Sequence, residues 1–347
     1  MYRLFRPLLF RLDPETAHQL TLNALRVAGN FPPSKWVLTQ LYKTPAKPVQ
    51  AFGLTFKNPV GLAAGYDKDA LAINGLSTLG FGHLEIGTVT LKPQPGNPTP
   101  RVFRLLEDSA VINRMGFPSQ GMLKVEGRML KVGGQRSVVL GLNLGKNKDT
   151  PLEEAANDYI ELMHRFMFHA DYLTINISSP NTVGLRRLQG REMLEQLLGA
   201  IQKEREIISL GRGGNSPILV KLSPDLSNEE LEDAISVILD KGMDGIIATN
   251  TTLSRDGLRS KHRRESGGLS GSPLTVKSEA VLSRVVKLVN GKIPIVSAGG
   301  IMSLDDAKKR LALGASLVQV YTGLVYRGPS LVREIVKNLG SCVTCVL

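Results

Sequence analysis

The sequence predicts an α/β fold, a (β/α)8 barrel of the TIM-barrel type with an N-terminal two-helix extension, and three features predict it. From residue 53 onward, short β-branched apolar runs alternate with helical stretches, the rhythm of a parallel sheet. Eight such runs can be counted, the number that closes a barrel, whereas a doubly wound open sheet usually stops at about six. Before residue 44 the pattern is helical instead. The length, 347 residues with 42% hydrophobic and 21% charged side chains, suits one large core. A barrel of roughly 250 residues leaves about a hundred for the extension and for loops.

Taken in order, the chain opens with Met1-Tyr-Arg-Leu-Phe-Arg-Pro-Leu-Leu-Phe-Arg-Leu, basic and apolar, where Arg3, Arg6 and Arg11 break any signal-peptide core. Asp13-Pro14-Glu15 reads as a helix start, with Asp as N-cap and Pro at the first helical position. Ala17, Leu20, Ala24 and Val27 continue that helix until Gly29-Asn30 and Pro32-Pro33 end it, and a second helix from Ser34 carries Trp36, Val37, Leu38 and Leu41. Residues 1–43 hold six basic side chains, Arg3, Arg6, Arg11, Arg26, Lys35 and Lys43, against Asp13 and Glu15. That profile suits a membrane surface, and it equally suits a helical pair capping one end of the main domain. Thr44–Pro48 reads as a linker, so the expected division is 1–43 for the docking extension and 44–347 for the barrel.

The eight runs end near 62–64, 86–89, 140–144, 173–177, 218–222, 246–248, 293–298 and 317–321, with amphipathic helices expected at 152–168, 191–209, 228–240, 275–289 and 303–312. Long polar connections at 90–118 and 251–274 are the expected lids over the mouth.

The formal charge of +12 fits nucleic acid, an anionic small molecule or an anionic lipid surface, and charge alone does not choose among them. With aromatics at 5% and no basic run interleaved with them, no nucleic acid is expected as a partner. Cys342 and Cys345 lie at the chain end with no second pair or nearby His, so neither a disulfide framework nor a metal site is expected, which fits a reduced compartment. No apolar run approaches the ~20 residues that cross a bilayer, so membrane contact would be peripheral.

In such barrels the active site lies where the strands end. The residues there are polar at nearly every exit: Gly65, Asp67 and Lys68; Thr88; Asn143; Asn176, Ser178, Ser179 and Asn181; Lys221; Thr249-Asn250-Thr251; Gly299-Gly300; and Tyr321-Thr322-Gly323. The glycines after the seventh and eighth runs match the place where barrels hold a phosphate on backbone N–H groups, although Gly299-Gly300 could equally be a tight turn. Lys146 lacks the glycine spacing and the following Ser/Thr of a Walker loop.

The stretches Asn58-Pro-Val-Gly-Leu-Ala-Ala-Gly-Tyr-Asp-Lys-Asp69, Glu85-Ile-Gly-Thr-Val89, Asn113-Arg-Met-Gly-Phe117, Asn143-Leu-Gly-Lys-Asn147 and Asn176-Ile-Ser-Ser-Pro-Asn181 closely resemble dihydroorotate dehydrogenases. So do 220–225, 248–252, 267–271 and 321–323, and the resemblance extends over nearly the whole chain. It implies FMN-dependent oxidation of (S)-dihydroorotate to orotate in pyrimidine biosynthesis. In that chemistry a base removes the C5 proton, a hydride leaves C6 for the flavin, and a second acceptor reoxidises the cofactor. A proton beside a carbonyl needs a positioned base and stabilised negative charge. By resemblance the base is Ser179, with Thr182 and Phe117 placed to serve its proton and exclude water; on the residues alone, that hydroxyl could be a turn cap in Ser-Ser-Pro-Asn.

Soluble branches of the family use Cys at the base position, and here no Cys precedes Cys342. Together with the helical extension, this resembles the serine class, which sits peripherally on the cytoplasmic face of the membrane and passes electrons to membrane quinone. The resemblance places FMN among Ala64, Gly65, Tyr66, Asp67, Lys68, Thr88, Asn143, Asn176, Lys221, Thr249, Gly271, Gly300, Tyr321 and Thr322. It places dihydroorotate among Lys68, Asn113, Arg114, Met115, Gly116, Phe117, Asn176, Asn181, Asn250 and Thr251, groups suited to a carboxylate and to pyrimidine edges. Lys221, a cation near the flavin, would favour the reduced anionic form. His18, Arg104 and Tyr321 line the implied quinone access, and no metal is implied.

Tyr66, Val183 and Thr322 depart from the usual residues of the family, and the Arg186-Arg187 pair and the tail 341–347 have no counterpart there to interpret. Three rival readings share parts of the pattern. A hydroxy-acid oxidase on the same barrel would want a His or Arg base at the mouth, and His83 comes too early in its strand. A phosphosugar isomerase or lyase would use Lys221 as base or Schiff-base amine. A non-catalytic membrane or nucleic-acid binder would carry no flavin colour.

Overall fold

Asp13 opens the longest helix of the extension: its carboxylate accepts hydrogen bonds from the backbone N–H groups of Glu15 and Thr16, both at 3.0 Å, and Pro14 occupies the first helical position. The computed structural model describes residues 2–132, 137–212 and 216–340. Three helices precede the barrel, not two: α1 (Tyr2–Arg11), α2 (Pro14–Asn30) and α3 (Pro32–Leu41). The arginines that interrupt the first apolar run fall at helical spacing with aromatic residues, so Tyr2, Arg6 and Phe10 share a face. Tyr2 Oη donates to the carbonyl of Val325, Arg6 donates to that of Tyr326 at 3.1 Å, and the Phe10 ring meets Tyr326 edge-on at 5.4 Å. This docking gives α1 the tertiary support that a short helix lacks in water.

Along α2, Ala17 and Leu22 turn inward, while Leu20 and Val27 face outward. The apolar residues of the extension therefore occupy two faces, one on the barrel and one unpartnered. Leu4 (79% exposed), Phe5, Leu8, Phe31 and Trp36 (65%) continue the outer one. No helix among the described residues is long and apolar enough to cross a membrane.

The barrel strands are β1 (Val60–Leu62), β2 (His83–Val89), β3 (Val139–Leu144), β4 (Tyr172–Asn176), β5 (Ile218–Leu222), β6 (Gly245–Ala248), β7 (Ile295–Ala298) and β8 (Leu317–Val320). They pair in parallel and in sequence order, and β8 closes onto β1. Their residues are nearly all buried, because helices cover the outside and side chains fill the inside. The helices Ala155–Phe166, Arg191–Arg212, Asn228–Asp240, Thr275–Val289 and Leu304–Ala312 lie where the periodicity puts them. Ser227 starts one with a reciprocal capping box to Glu230. At the opposite end, the hairpin Val49–Ala51 and Leu54–Phe56 plugs the barrel with Phe56, which packs among Tyr172, Leu219 and Leu317.

The two long polar connections do not form separate lids. Val102–Leu105 and Ala110–Asn113 from the first, and Gly268–Gly271 from the second, pair antiparallel into one three-stranded sheet with Ala110–Asn113 at its centre.

Candidate active site

The strand exits, the lid sheet and the three N-terminal helices enclose one continuous cavity of about 550 Å³, within the ordinary range for small-molecule sites. Its outer reach is apolar, lined by Phe5, Leu9, Leu25, Leu38 and Leu41, and its inner reach is polar, lined by Lys68, Asn176, Ser179, Lys221 and Asn250. All the site residues predicted above line it except Asp67, Asn143, Arg114 and Thr182. Asp67 is sealed below the surface, accepting from the N–H groups of Leu71 and Ala72 and so shaping the turn that carries Lys68. Arg114 points outward, pairing with Glu265 at 2.7 Å and lying over the Phe103 ring.

Asn143 lies one layer beneath the cavity in a chain of amides. Its Oδ1 accepts from Thr88 Oγ1 (2.6 Å) and Asn176 Nδ2 (2.9 Å), and its Nδ2 donates to Glu85 Oε1 (2.7 Å). Asn250 Nδ2 donates onward to Asn176 Oδ1 and Ser178 Oγ, and Asn181 Nδ2 to Asn113 Oδ1 (3.0 Å). Each amide is oriented by its neighbour, so the donors and acceptors facing the cavity are fixed before any ligand arrives.

Glu85 is the residue that the motif reading missed as a site group. It is fully buried in β2 and accepts from Asn143, from Gln319 Nε2 (2.7 Å) and from Tyr172 Oη (3.4 Å). The Lys221 ammonium stands 3.8 Å from it, at the cavity wall. A carboxylate inside the run His-Leu-Glu-Ile-Gly-Thr-Val was the available signal, since burying a charge needs a partner.

Around β7 and β8 the wall is backbone. Gly300 has φ +74°, and a Cβ there would strike the Thr275 backbone at 2.4 Å, so only glycine lets the chain pass this close. Behind it, the fully buried Arg310 donates to the carbonyls of Gly299 (3.2 Å) and Thr275 (2.9 Å) and to Ser278 Oγ (2.8 Å), fixing the turn from below. Lys308-Lys309-Arg310 reads in sequence as a solvated face, so nothing there marked Arg310 out.

Ser179 is buried at the cavity wall and accepts the N–H of Asn181 at 3.2 Å. The turn-cap role and a cavity-facing oxygen therefore coexist in one hydroxyl. A donor on that oxygen favours its deprotonated form. Thr182, just outside the cavity lining, is buried with its hydroxyl unpartnered among the described residues, and the buried Phe117 lines the cavity. Lys68 donates to the Gly65 carbonyl at 2.6 Å; burial lowers its pKa to about 8, against the pull of Glu15 and Asp69.

Toward the helices, a file of rings runs from Tyr321 to Tyr66 (5.8 Å between centroids) and on to His18 (4.9 Å). Burial, with a smaller contribution from the Lys68 ammonium, lowers the His18 pKa to about 3, so its ring is neutral at physiological pH. Arg104, from the lid sheet, stacks over Phe10 at 4.7 Å and donates to the carbonyls of Leu9 and Leu12 at the end of α1, a favourable place for a cation. Among the described residues no cluster could hold a metal ion; Cys342 and Cys345 lie outside them.

The family model for dihydroorotate dehydrogenase matches residues 48–343. The chain is 48% identical over 341 residues to the dihydroorotate dehydrogenase (quinone) of Roseiflexus sp. (strain RS-1), covering 98% of this chain and 93% of that protein. It is 49% identical over 343 residues to the enzyme of the same name from Acidithiobacillus ferrooxidans, covering 97% and 94%. Among solved structures, the DHODH of Eimeria tenella in complex with ferulenol superposes with a TM-score of 0.83 at 43% identity, covering 93% of this chain and 90% of that one. Its ligand-free form gives the same TM-score at 42% identity, covering 93% of each chain.

Proposed function

The chain belongs to the quinone-dependent dihydroorotate dehydrogenases, and from that premise we propose that FMN sits between a dihydroorotate site under the lid sheet and a quinone passage through the helical extension. The protein is an oxidoreductase of pyrimidine biosynthesis. The observation that carries the spatial reading is continuity: a single cavity runs from Ser179 and Asn250 past Lys221 to the apolar faces of α1–α3.

The residues fit a phosphorylated flavin. Gly300 keeps its turn open to a phosphate, and the buried Lys221 ammonium, with Glu85 on one side, can accept a second anionic neighbour on the other. When bound, FMN takes two electrons from dihydroorotate and passes them to quinone. Ser179 takes the substrate proton at Oγ while its own hydroxyl proton passes on toward the unpartnered Thr182 hydroxyl, and the Asn181 N–H stabilises the negative oxygen in between. Lys68 faces the substrate carboxylate, and the oriented amides of Asn113, Asn176, Asn181 and Asn250 hold the pyrimidine edge so that proton and hydride leave toward fixed positions. Phe117 and the lid sheet exclude water from the base.

The quinone tail and the lipid surface meet the outer face of α1–α3, where exposed Leu4, Phe5, Leu8, Trp36 and Val37 stand beside exposed Arg11, Arg26 and Lys35. This surface supports a peripheral position on the membrane, which we assign to its cytoplasmic face. The test is stopped-flow reduction of the flavin by dihydroorotate in Ser179→Ala. Bleaching should slow by ~10²–10⁴-fold with flavin still bound; bleaching at the wild-type rate would remove Ser179 from the role.

A further inference from the structure

Arg186 lies in the short helical turn Leu185–Gln189 that follows the Ser179 loop. Its guanidinium forks to three acceptors on three different elements: Nε donates to the Ser178 carbonyl (3.1 Å), Nη1 to Asp225 Oδ2 (2.9 Å) and Nη2 to the Thr251 carbonyl (2.9 Å). Ser178 directly precedes Ser179, Asp225 follows β5, and Thr251 follows β6 beside Asn250. Asp225 is anchored independently, since its Oδ1 accepts from Lys277 Nζ and Thr252 Oγ1, both at 2.5 Å, and its Oδ2 from Leu253 N (2.9 Å). The lid presses on the same junction. A Cβ at Gly268 would fall 2.0 Å from Thr251 Oγ1 and 3.1 Å from Pro180, the residue after Ser179.

We propose that Arg186 is a positioning residue for the reaction, a three-way latch that sets where Ser179 stands relative to Asn250 and Asn176. The proposal rests on Ser179 being the base. Two of the three acceptors are backbone carbonyls at the mouth, and Asp225 keeps three other donors without Arg186, so neither barrel closure nor satisfaction of the carboxylate requires it. What the fork does require is planarity: a lysine ammonium can replace the charge but cannot span three acceptors in one plane. Misplacing a reacting group by ~1 Å costs about 10²-fold in rate, which is the scale of loss expected when the loop is untied.

The experiment compares flavin-loaded wild type, Arg186→Lys, Arg186→Ala and Ser179→Ala by anaerobic stopped-flow with dihydroorotate, with rates expressed per bound flavin. The alanine variant should lose ~10²-fold and the lysine variant at least ~10-fold in limiting rate, with the substrate dissociation constant changed by less than about threefold. Amide hydrogen exchange across 178–185 should speed up in both arginine variants. A lysine variant within threefold of wild type per flavin would overturn the latch. So would failure of that variant to fold or load flavin, which would make Arg186 a staple of the fold. Ser179→Ala separates the two ideas: wild-type bleaching there overturns the base assignment itself, whereas a dead Ser179→Ala beside a normal Arg186→Lys overturns only the latch.

Discussion

His83 offers a stability test whose size follows from its surroundings. It stands at the start of β2, at the plugged end of the barrel, fully buried, with neither ring nitrogen hydrogen-bonded among the described residues. Its neighbours are the rings of Phe56 at 5.4 Å and Tyr172 at 6.5 Å. Burial alone lowers its pKa to about 3, whereas a histidine in the unfolded chain titrates near ~6.5. As pH falls below that value, the unfolded chain takes up a proton that the folded chain refuses, so stability is lost from about pH 6.5 downward until the folded group titrates near pH 3. At pH 5 the loss is RT ln(1 + 10^1.5), about 2 kcal/mol, for any folded pKa below about 4. The perturbation is His83→Leu, which removes the titrating ring and keeps an apolar side chain. Urea unfolding of both proteins at pH 7.5 and pH 5.0 gives the loss for each, and every other titrating group cancels in the comparison. The leucine variant should lose about 2 kcal/mol less than wild type, and equal losses would refute the account of His83 as a sealed neutral histidine.

Lys221→Ala should weaken flavin retention and lower the two-electron potential by at least ~30 mV, which is about 1.4 kcal/mol, while Glu85→Gln should raise it; full loading at an unchanged potential would place Lys221 away from the flavin. Because burial brings the Lys68 pKa to about 8, its ammonium is present below that pH and lost above it. Orotate affinity should therefore fall as pH rises through 8, and in Lys68→Met a titration of bound orotate should lose that inflection. Leu4→Glu combined with Trp36→Glu, at outward positions of α1 and α3, should leave flavin bleaching intact but weaken binding to anionic vesicles and slow reoxidation by a long-chain quinone presented in them. Reoxidation at full speed would make the outer face of the helices irrelevant to quinone access.

The barrel was legible because its strands are buried on both sides and therefore spell themselves as continuous apolar runs, with the chemistry gathered where each run ends. Orientation was harder to read. The period of α2 is plain, but a moment of apolar residues does not say whether Ala17 or Leu20 meets the barrel, and in α1 the arginines hide a helix whose inward face is Tyr2, Arg6 and Phe10. The lid sheet joins 102–113 to 268–271, a pairing set by distant contacts and absent from either local pattern. Of the charged groups that shape the site, Glu85 left a trace as an anion in a buried strand. Arg186 showed only as half of a basic pair with no interpretation, and Arg310 left no trace, since it follows two lysines in what reads as a solvated face.

The shared lid has a consequence for traffic through the enzyme. Two flaps on separate hinges could swing apart one at a time, but Ala110–Asn113 is paired along both edges, so neither connection can lift without carrying the other or breaking a ladder of backbone hydrogen bonds. Beside it, residues 178–184 form a loop outside any sheet or helix, and the lid touches that loop, since a Cβ at Gly268 would lie 3.1 Å from Pro180. That loop carries Ser179. A roof that moves as one piece therefore bears on the chain next to Ser179 whenever it moves.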